Sequence, residues 1–103
     1  MSILTANGES LYSETKILKF SLTIFYVYVL RSSRDGKLYI GLTDDLDRRV
    51  QEHNRGKSRS TRNRRPFTLV YYEEFTTRLA AAKRERFLKS GAGHKFLRSI
   101  LPQ

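Results

Sequence analysis

The chain has 103 residues and no cysteine, so it is one domain with a modest core that neither disulfides nor a thiolate zinc site can staple. Lysine and arginine number 20 against 10 acids, a formal net charge of +10 that points to a polyanion, nucleic acid ahead of a membrane surface because no long basic amphipathic helix occurs. Two histidines are too few for a zinc cluster, and the lack of cysteine fits a reducing, cytoplasmic setting.

Residues 1–23 mix Gly, Ser, Thr and Asn with scattered apolar positions and read as a poorly ordered N-terminal extension ahead of a domain at 24–101. Lys16 and Lys19 before the apolar run 20–30 imitate the front of a signal peptide. The run passes straight into Arg31-Ser32-Ser33-Arg34 without a small-residue cleavage site, and it is too short to span a bilayer. Its β-branched and aromatic content predicts a strand with Tyr26, Tyr28 and Leu30 on one face and Phe25, Val27 and Val29 on the other. Two apolar faces make that strand central. Asp35-Gly36 marks a turn into a second, antiparallel strand at 37–41, which Gly41 ends.

Asp44 is the expected N-cap of a helix beginning near Asp45 and ending near Asn54, with Asp45 and Asp47 in the first turn where the helix dipole favours carboxylates. On it Leu46 and Val50 face a core, while Asp45, Arg49 and His53 form an adjacent i, i+4 series. Taken singly, Arg49 reads as a solvated charge, His53 as a partner of the helix C-terminus and Tyr39 as a core aromatic. Arg55 and the stretch 57–66 follow, with Lys57, Arg59, Arg62, Arg64 and Arg65 and no large apolar side chain. This is a basic loop that need not be ordered before a polyanion binds.

Pro66 opens a third strand, Phe67 to Phe75, with Phe67, Leu69 and Tyr71 alternating against Thr68, Val70 and Tyr72, and with Glu73 and Glu74 at a solvated end. Thr77 caps a helix from Arg78 to about Lys89, on which Glu85 projects from the edge of the apolar stripe. Residues Ser90-Gly91-Ala92-Gly93 stop that helix. A short terminal helix at 94–101 pairs Phe96 with Ile100 and Leu97 with Leu101, leaving His94 on the surface.

The ordered set Tyr26-Val27-Tyr28, Tyr39-Ile40-Gly41, Arg49, His53 and Glu85 resembles the GIY-YIG nuclease family in its small, single-domain bacterial form, over roughly residues 25–101. Tyr26 stands where the family name has Gly. The resemblance implies an α/β (α+β) fold, a three-stranded antiparallel sheet flanked by helices. It further implies a divalent-metal-dependent DNA endonuclease or end-processing nuclease, structure-selective in repair or recombination. Branched, flapped or nicked DNA is the expected partner, and RNA stays open. Glu85 would hold Mg²⁺ or Mn²⁺, a hard cation that one carboxylate, waters and a phosphate can satisfy.

Arg49 would offer a planar fork to the scissile phosphate. The resemblance gives a tyrosine the proton of the attacking water. Tyr39 is assigned that role, with Tyr28 doing the same or positioning the water. His53 either relays the proton or binds phosphate. Arg55, Lys57, Arg59, Arg62, Arg64 and Arg65 would hold the DNA backbone without reading bases. Two alternatives stand beside this reading: a non-catalytic nucleic-acid-binding module with Glu85 in a structural ion pair, and a subunit whose activity needs a partner protein.

Overall fold

A computed structural model describes residues 22–102 of the chain. Most of the expected N-terminal extension, residues 1–21, lies outside the described residues. Three strands, β1 (Phe25–Ser32), β2 (Leu38–Thr43) and β3 (Phe67–Phe75), form one antiparallel sheet in the order β2-β1-β3. Three helices flank it: α1 (Leu46–Asn54), α2 (Arg78–Leu88) and α3 (Gly91–Ile100). The fold is α+β, and the strand with two apolar faces is the central one, as expected. No helix among the described residues is long and apolar enough to cross a membrane.

The two faces of β1 build two separate clusters. Val27 and Val29 pack with Ile40, Ala81, Leu88, Leu97 and Leu101 beneath α2 and α3. Tyr28 and Leu30 pack with Phe67 on the other face, where Tyr39, Leu46, Val50 and Leu69 close around them under α1. The β1–β2 register is regular, pairing Tyr28 with Gly41 and Leu30 with Tyr39. The β1–β3 register is not: Val29 pairs with Tyr71 and Leu30 with Leu69, which leaves Val70 as an extra residue.

That bulge corrects the expected alternation of the third strand. Phe67 and Leu69 belong to the Tyr28 cluster, but the extra residue turns Tyr71 to the helix-covered face beside Val70 and Phe75. Glu73 follows Tyr71 there, receives Arg84 Nε at 2.8 Å and accepts the Tyr71 hydroxyl, so it is not a solvated acid. Arg84 in turn lies over the rings of Phe87 and Phe96 at 5.0 and 5.1 Å.

Other boundaries also shift. Asp45, not Asp44, caps α1, its Oδ1 accepting the Arg48 N–H at 3.1 Å, while Asp44 pairs with the Arg48 side chain at 3.5 Å. Thr77 caps α2 as expected. The glycines after Ser90 do not merely end a helix: Ser90 caps α3, which already begins at Gly91. A Cβ on Gly93 would lie 2.1 Å from the Phe87 carbonyl oxygen, so glycine there lets α3 cross tightly against the end of α2. Leu97 and Leu101 are buried, Ile100 is 44% exposed, and His94 is half-buried rather than on the surface.

Candidate active site

The site grows from the place where β1 and β2 run side by side. A side chain on Gly41 would meet the Tyr28 hydroxyl at 2.4 Å and its Cζ at 2.5 Å, so only glycine lets the Tyr28 ring lie across the neighbouring strand. That close approach is the local reason for the Leu38-Tyr39-Ile40-Gly41 sequence. α1 then covers the ring and delivers His53, whose centroid lies 5.8 Å from Tyr28, 4.9 Å from Tyr39 and 6.1 Å from Phe67.

His53 is fully buried with both ring nitrogens engaged: Nε2 lies 2.9 Å from the Tyr28 hydroxyl and Nδ1 2.8 Å from Thr61 Oγ1. The hydroxyl of Thr61 points to the Ser58 carbonyl at 3.5 Å, which leaves Thr61 Oγ1 to accept from Nδ1–H. The Arg49 cation faces the Tyr28 hydroxyl and favours its oxygen as the acceptor there, so the phenol proton goes to Nε2. Both ends of the chain assign the same tautomer, with Nδ1 protonated and Nε2 accepting.

Burial holds the imidazole neutral, its pKa lowered to about 4, with the Arg49 charge adding to the effect and Glu52 opposing it. Burial likewise raises the Tyr28 phenol to about 12, against the hydrogen bond from Arg49. Arg49 is fixed by donating from Nη1 to Glu52 Oε1 at 2.9 Å. With no solvent-facing nitrogen, His53 cannot bind phosphate directly. Of its two expected roles, only one acting through Tyr28 is sterically open.

Glu85 enters from α2, on the opposite side of the sheet. Its half-buried carboxylate pairs with Lys89 at 3.0 Å, and its charge reaches Tyr28, where it disfavours the phenolate. Among the described residues no group of three or more His, Asp or Glu forms a metal cage. Lys89 is more than half exposed, a partner easily exchanged for water. The donor set therefore suits one hard divalent cation completed by water and phosphate.

The basic loop has an anchor that its composition does not reveal. Thr61 is completely buried under His53, and a 3-10 turn follows it at Arg62–Arg64. Arg64 donates from Nε to Asp35 Oδ2 at 2.9 Å and lies 5.5 Å over the Phe67 ring, while Ser32 Oγ donates to the Arg64 carbonyl at 2.6 Å. The loop is thus pinned by its own contacts. Arg62 and Arg65 bond nearby carbonyls, at 3.1 Å to Gly56 and 2.8 Å to Arg62 respectively. Arg55, Lys57 and Arg59 are exposed.

Comparison with known proteins places this geometry. The GIY-YIG catalytic domain matches residues 24–95. The chain belongs to the GIY-YIG family. A UPF0213 protein of Haloquadratum walsbyi is 50% identical over 66 residues, covering 63% of this chain and 73% of that protein. A UPF0213 protein of Staphylococcus aureus is 43% identical over 76 residues, covering 73% and 92%. The solution structure of a UPF0213 protein from Bacillus halodurans is similar at 38% identity and a TM-score of 0.48, covering 75% of this chain and 84% of that one.

Within this GIY-YIG domain Tyr28, Tyr39, Arg49 and His53 meet on one face of the sheet, and the Glu85 charge, carried by α2, reaches Tyr28. Two participants carry no assignment from the sequence. Glu52 could have been found from its i, i+3 spacing to Arg49. Thr61 carries no such signal, because its contact with His53 depends on how the loop returns.

Proposed function

We propose that the protein is a divalent-metal-dependent nuclease that hydrolyses phosphodiester bonds in DNA, selecting its substrate by shape. The observation that carries this reading is the convergence on one buried hydroxyl. Tyr28 is bonded to His53, receives the Arg49 guanidinium, and feels the charges of Tyr39 and Glu85. Residues from β1, β2, α1 and α2 thus act on one point, an arrangement that core packing does not require.

Tyr28 is committed, its proton to His53 and its oxygen to Arg49, so it positions its neighbours. Tyr39 is only half-buried and is the phenol placed to take the proton of an attacking water. Arg49 spends one N–H on Glu52 and faces the Tyr28 hydroxyl, and its guanidinium retains others for the phosphate oxygens as negative charge develops there. Glu85 would hold Mg²⁺ or Mn²⁺, which when bound polarises the phosphate and stabilises the leaving oxygen. Arg55, Lys57 and Arg59, exposed on a loop pinned beside the site, favour backbone contacts over base reading, and hence a flap, branch or nick over a sequence.

The test is incubation of the purified protein with branched, flapped, nicked and linear DNA, with and without Mn²⁺, beside Glu85→Gln. Metal-dependent cleavage by the wild type and its loss in the variant, with DNA binding retained, are expected. Unchanged turnover in Glu85→Gln removes Glu85 from the site. Failure to cut any DNA with Mn²⁺ present overturns the nuclease reading.

A further inference from the structure

A second basic feature lies on the other face of the sheet from Tyr28. A cleft of about 530 Å³ opens between the β1–β2 turn and α3, lined by Arg31, Lys37, Arg64, His94 and Arg98 together with leucines and Gly36. Among the described residues no acid lines it, although Asp35 is ion-paired with Arg64 beside it at 2.9 Å. Arg31 directs Nη1 to the Gly36 carbonyl at 3.3 Å and Nη2 to the Pro102 carbonyl at 3.0 Å, contacts that orient its guanidinium without neutralising it. Lys37 stands exposed at the mouth. Asp35 offsets the Arg64 charge, and the positive charge of Arg31 and Lys37 around the concavity favours an anion there.

We infer that this cleft is a second phosphate site, one that holds the backbone of the same nucleic acid whose scissile bond lies at Tyr39 and Arg49. The inference rests on the nuclease reading for its substrate and on two further observations for its place. Arg64 belongs both to the pinned basic loop and to the cleft, so the two positive surfaces are continuous. β2 is an edge strand, with Leu38 packed toward the α2–α3 layer and Tyr39 toward the α1 layer. A strand of nucleic acid crossing that edge touches both. Lys37 precedes Tyr39 by two residues, about 7 Å of extended chain. The cleft has no Phe, Tyr or Trp in its lining and is dominated by cations, so it suits phosphate and sugar.

The experiment is duplex binding by fluorescence anisotropy over a range of salt, without divalent metal, for wild type, Lys37→Gln and Lys37→Gln with Arg98→Gln. Removing one cation from one phosphate should lower the magnitude of the log K against log salt slope by about 0.9, hence roughly 1.8 for the double variant. The charge-conserving pair Lys37→Arg with Arg98→Lys should keep the slope. Lys37 is an exposed turn residue, so the single variant still tests the inference if the double variant folds poorly. An unchanged slope in the folded Lys37→Gln protein overturns it.

Amide shifts at Lys37 and His94 are expected with duplex and not with inorganic phosphate at equal phosphate concentration. Equal shifts with both make the cleft a free-phosphate site and overturn the backbone assignment. Because binding is read without cleavage, a fallen slope in a protein that cuts nothing upholds the cleft while removing the nuclease reading. An unchanged slope in a protein that does cut removes the cleft alone.

Discussion

Protonating His53 should unfold this protein before its carboxylates do. The imidazole has an ordinary pKa of 6.5 and a folded value of about 4, because burial and the Arg49 charge both oppose a second proton. The unfolded chain therefore binds the proton first. Stability is full above about pH 6.5 and falls as the pH drops toward 4, where the folded imidazole also protonates. At pH 4.5 the loss works out at about 2.5 kcal/mol, a large share of a small domain's stability.

Urea unfolding of wild type and His53→Gln at pH 7.5, 6.5, 5.5 and 4.5 isolates that contribution. At pH 7.5 the variant should be weaker by about 1–3 kcal/mol, since glutamine cannot serve both the Tyr28 and Thr61 hydroxyls with imidazole geometry. The gap should close as the pH falls, because only the wild type carries the histidine. Asp35, held at about 2 by its hydrogen bond from Arg64, titrates in both proteins and cancels in the difference. A gap that stays constant with pH, or a His53 ring signal titrating near 6.5, refutes the buried neutral imidazole.

The remaining predictions concern the chemistry and its support. Tyr39→Phe and Arg49→Lys should each lower turnover by at least about a hundredfold at unchanged melting temperature, as expected for a proton acceptor and a transition-state donor. Tyr28→Phe should instead lose about 1–3 kcal/mol of stability because His53 Nε2 is left unpaired; an inactive Tyr28→Phe beside a fully active Tyr39→Phe would exchange the two roles. Gly41→Ala places a methyl 2.4 Å from the Tyr28 hydroxyl, so calorimetry should show a lowered melting temperature, by the equivalent of about 1–3 kcal/mol, and a wild-type melt would mean that the ring is not fixed there. Replacing Arg55, Lys57 and Arg59 with Ala should reduce the duplex salt slope by about 0.9 for each phosphate that is no longer neutralised, equally for all sequences. An unchanged slope would move the DNA off this loop.

Alternation and turn chemistry carried most of the fold in the sequence. β1 betrays its central place through two apolar faces, Asp35-Gly36 fixes the hairpin, and Thr77 starts α2, because each signal is local. What escaped depends on residues distant in sequence. Val70 becomes a bulge only because β1 sets the register on both sides of it. Gly93 is needed only because α3 crosses the end of α2. The basic loop has no apolar bulk and so reads as unanchored, whereas its anchor is a threonine hydroxyl satisfied by a histidine eight positions earlier. The ordered tyrosines, Arg49, His53 and Glu85 were legible as a set, and the structure brings the first four together. The pairing of Tyr28 with His53 joins residues 25 positions apart and depends on α1 closing over β1, so it leaves no local signal.

That pairing also explains why the site sits where it does. Tyr28 and His53 are among the largest fully buried side chains of the molecule, and Tyr28, Leu30 and Phe67 form the core of the α1 layer. The side chains that fix the proton positions are therefore the ones that hold α1 and the loop to the sheet. Such a small domain has too little interior to keep a core and an orienting network apart. Polar groups can share the core here because every link is satisfied, from Arg49 through Tyr28, His53 and Thr61 to the Ser58 carbonyl, and no buried side-chain polar atom among the described residues lacks a partner. Breaking a link between Tyr28, His53 and Thr61 leaves a buried donor or acceptor alone, so substitutions at these three should lower stability and turnover together, whereas changes at half-buried Tyr39 and at Arg49 should separate the two.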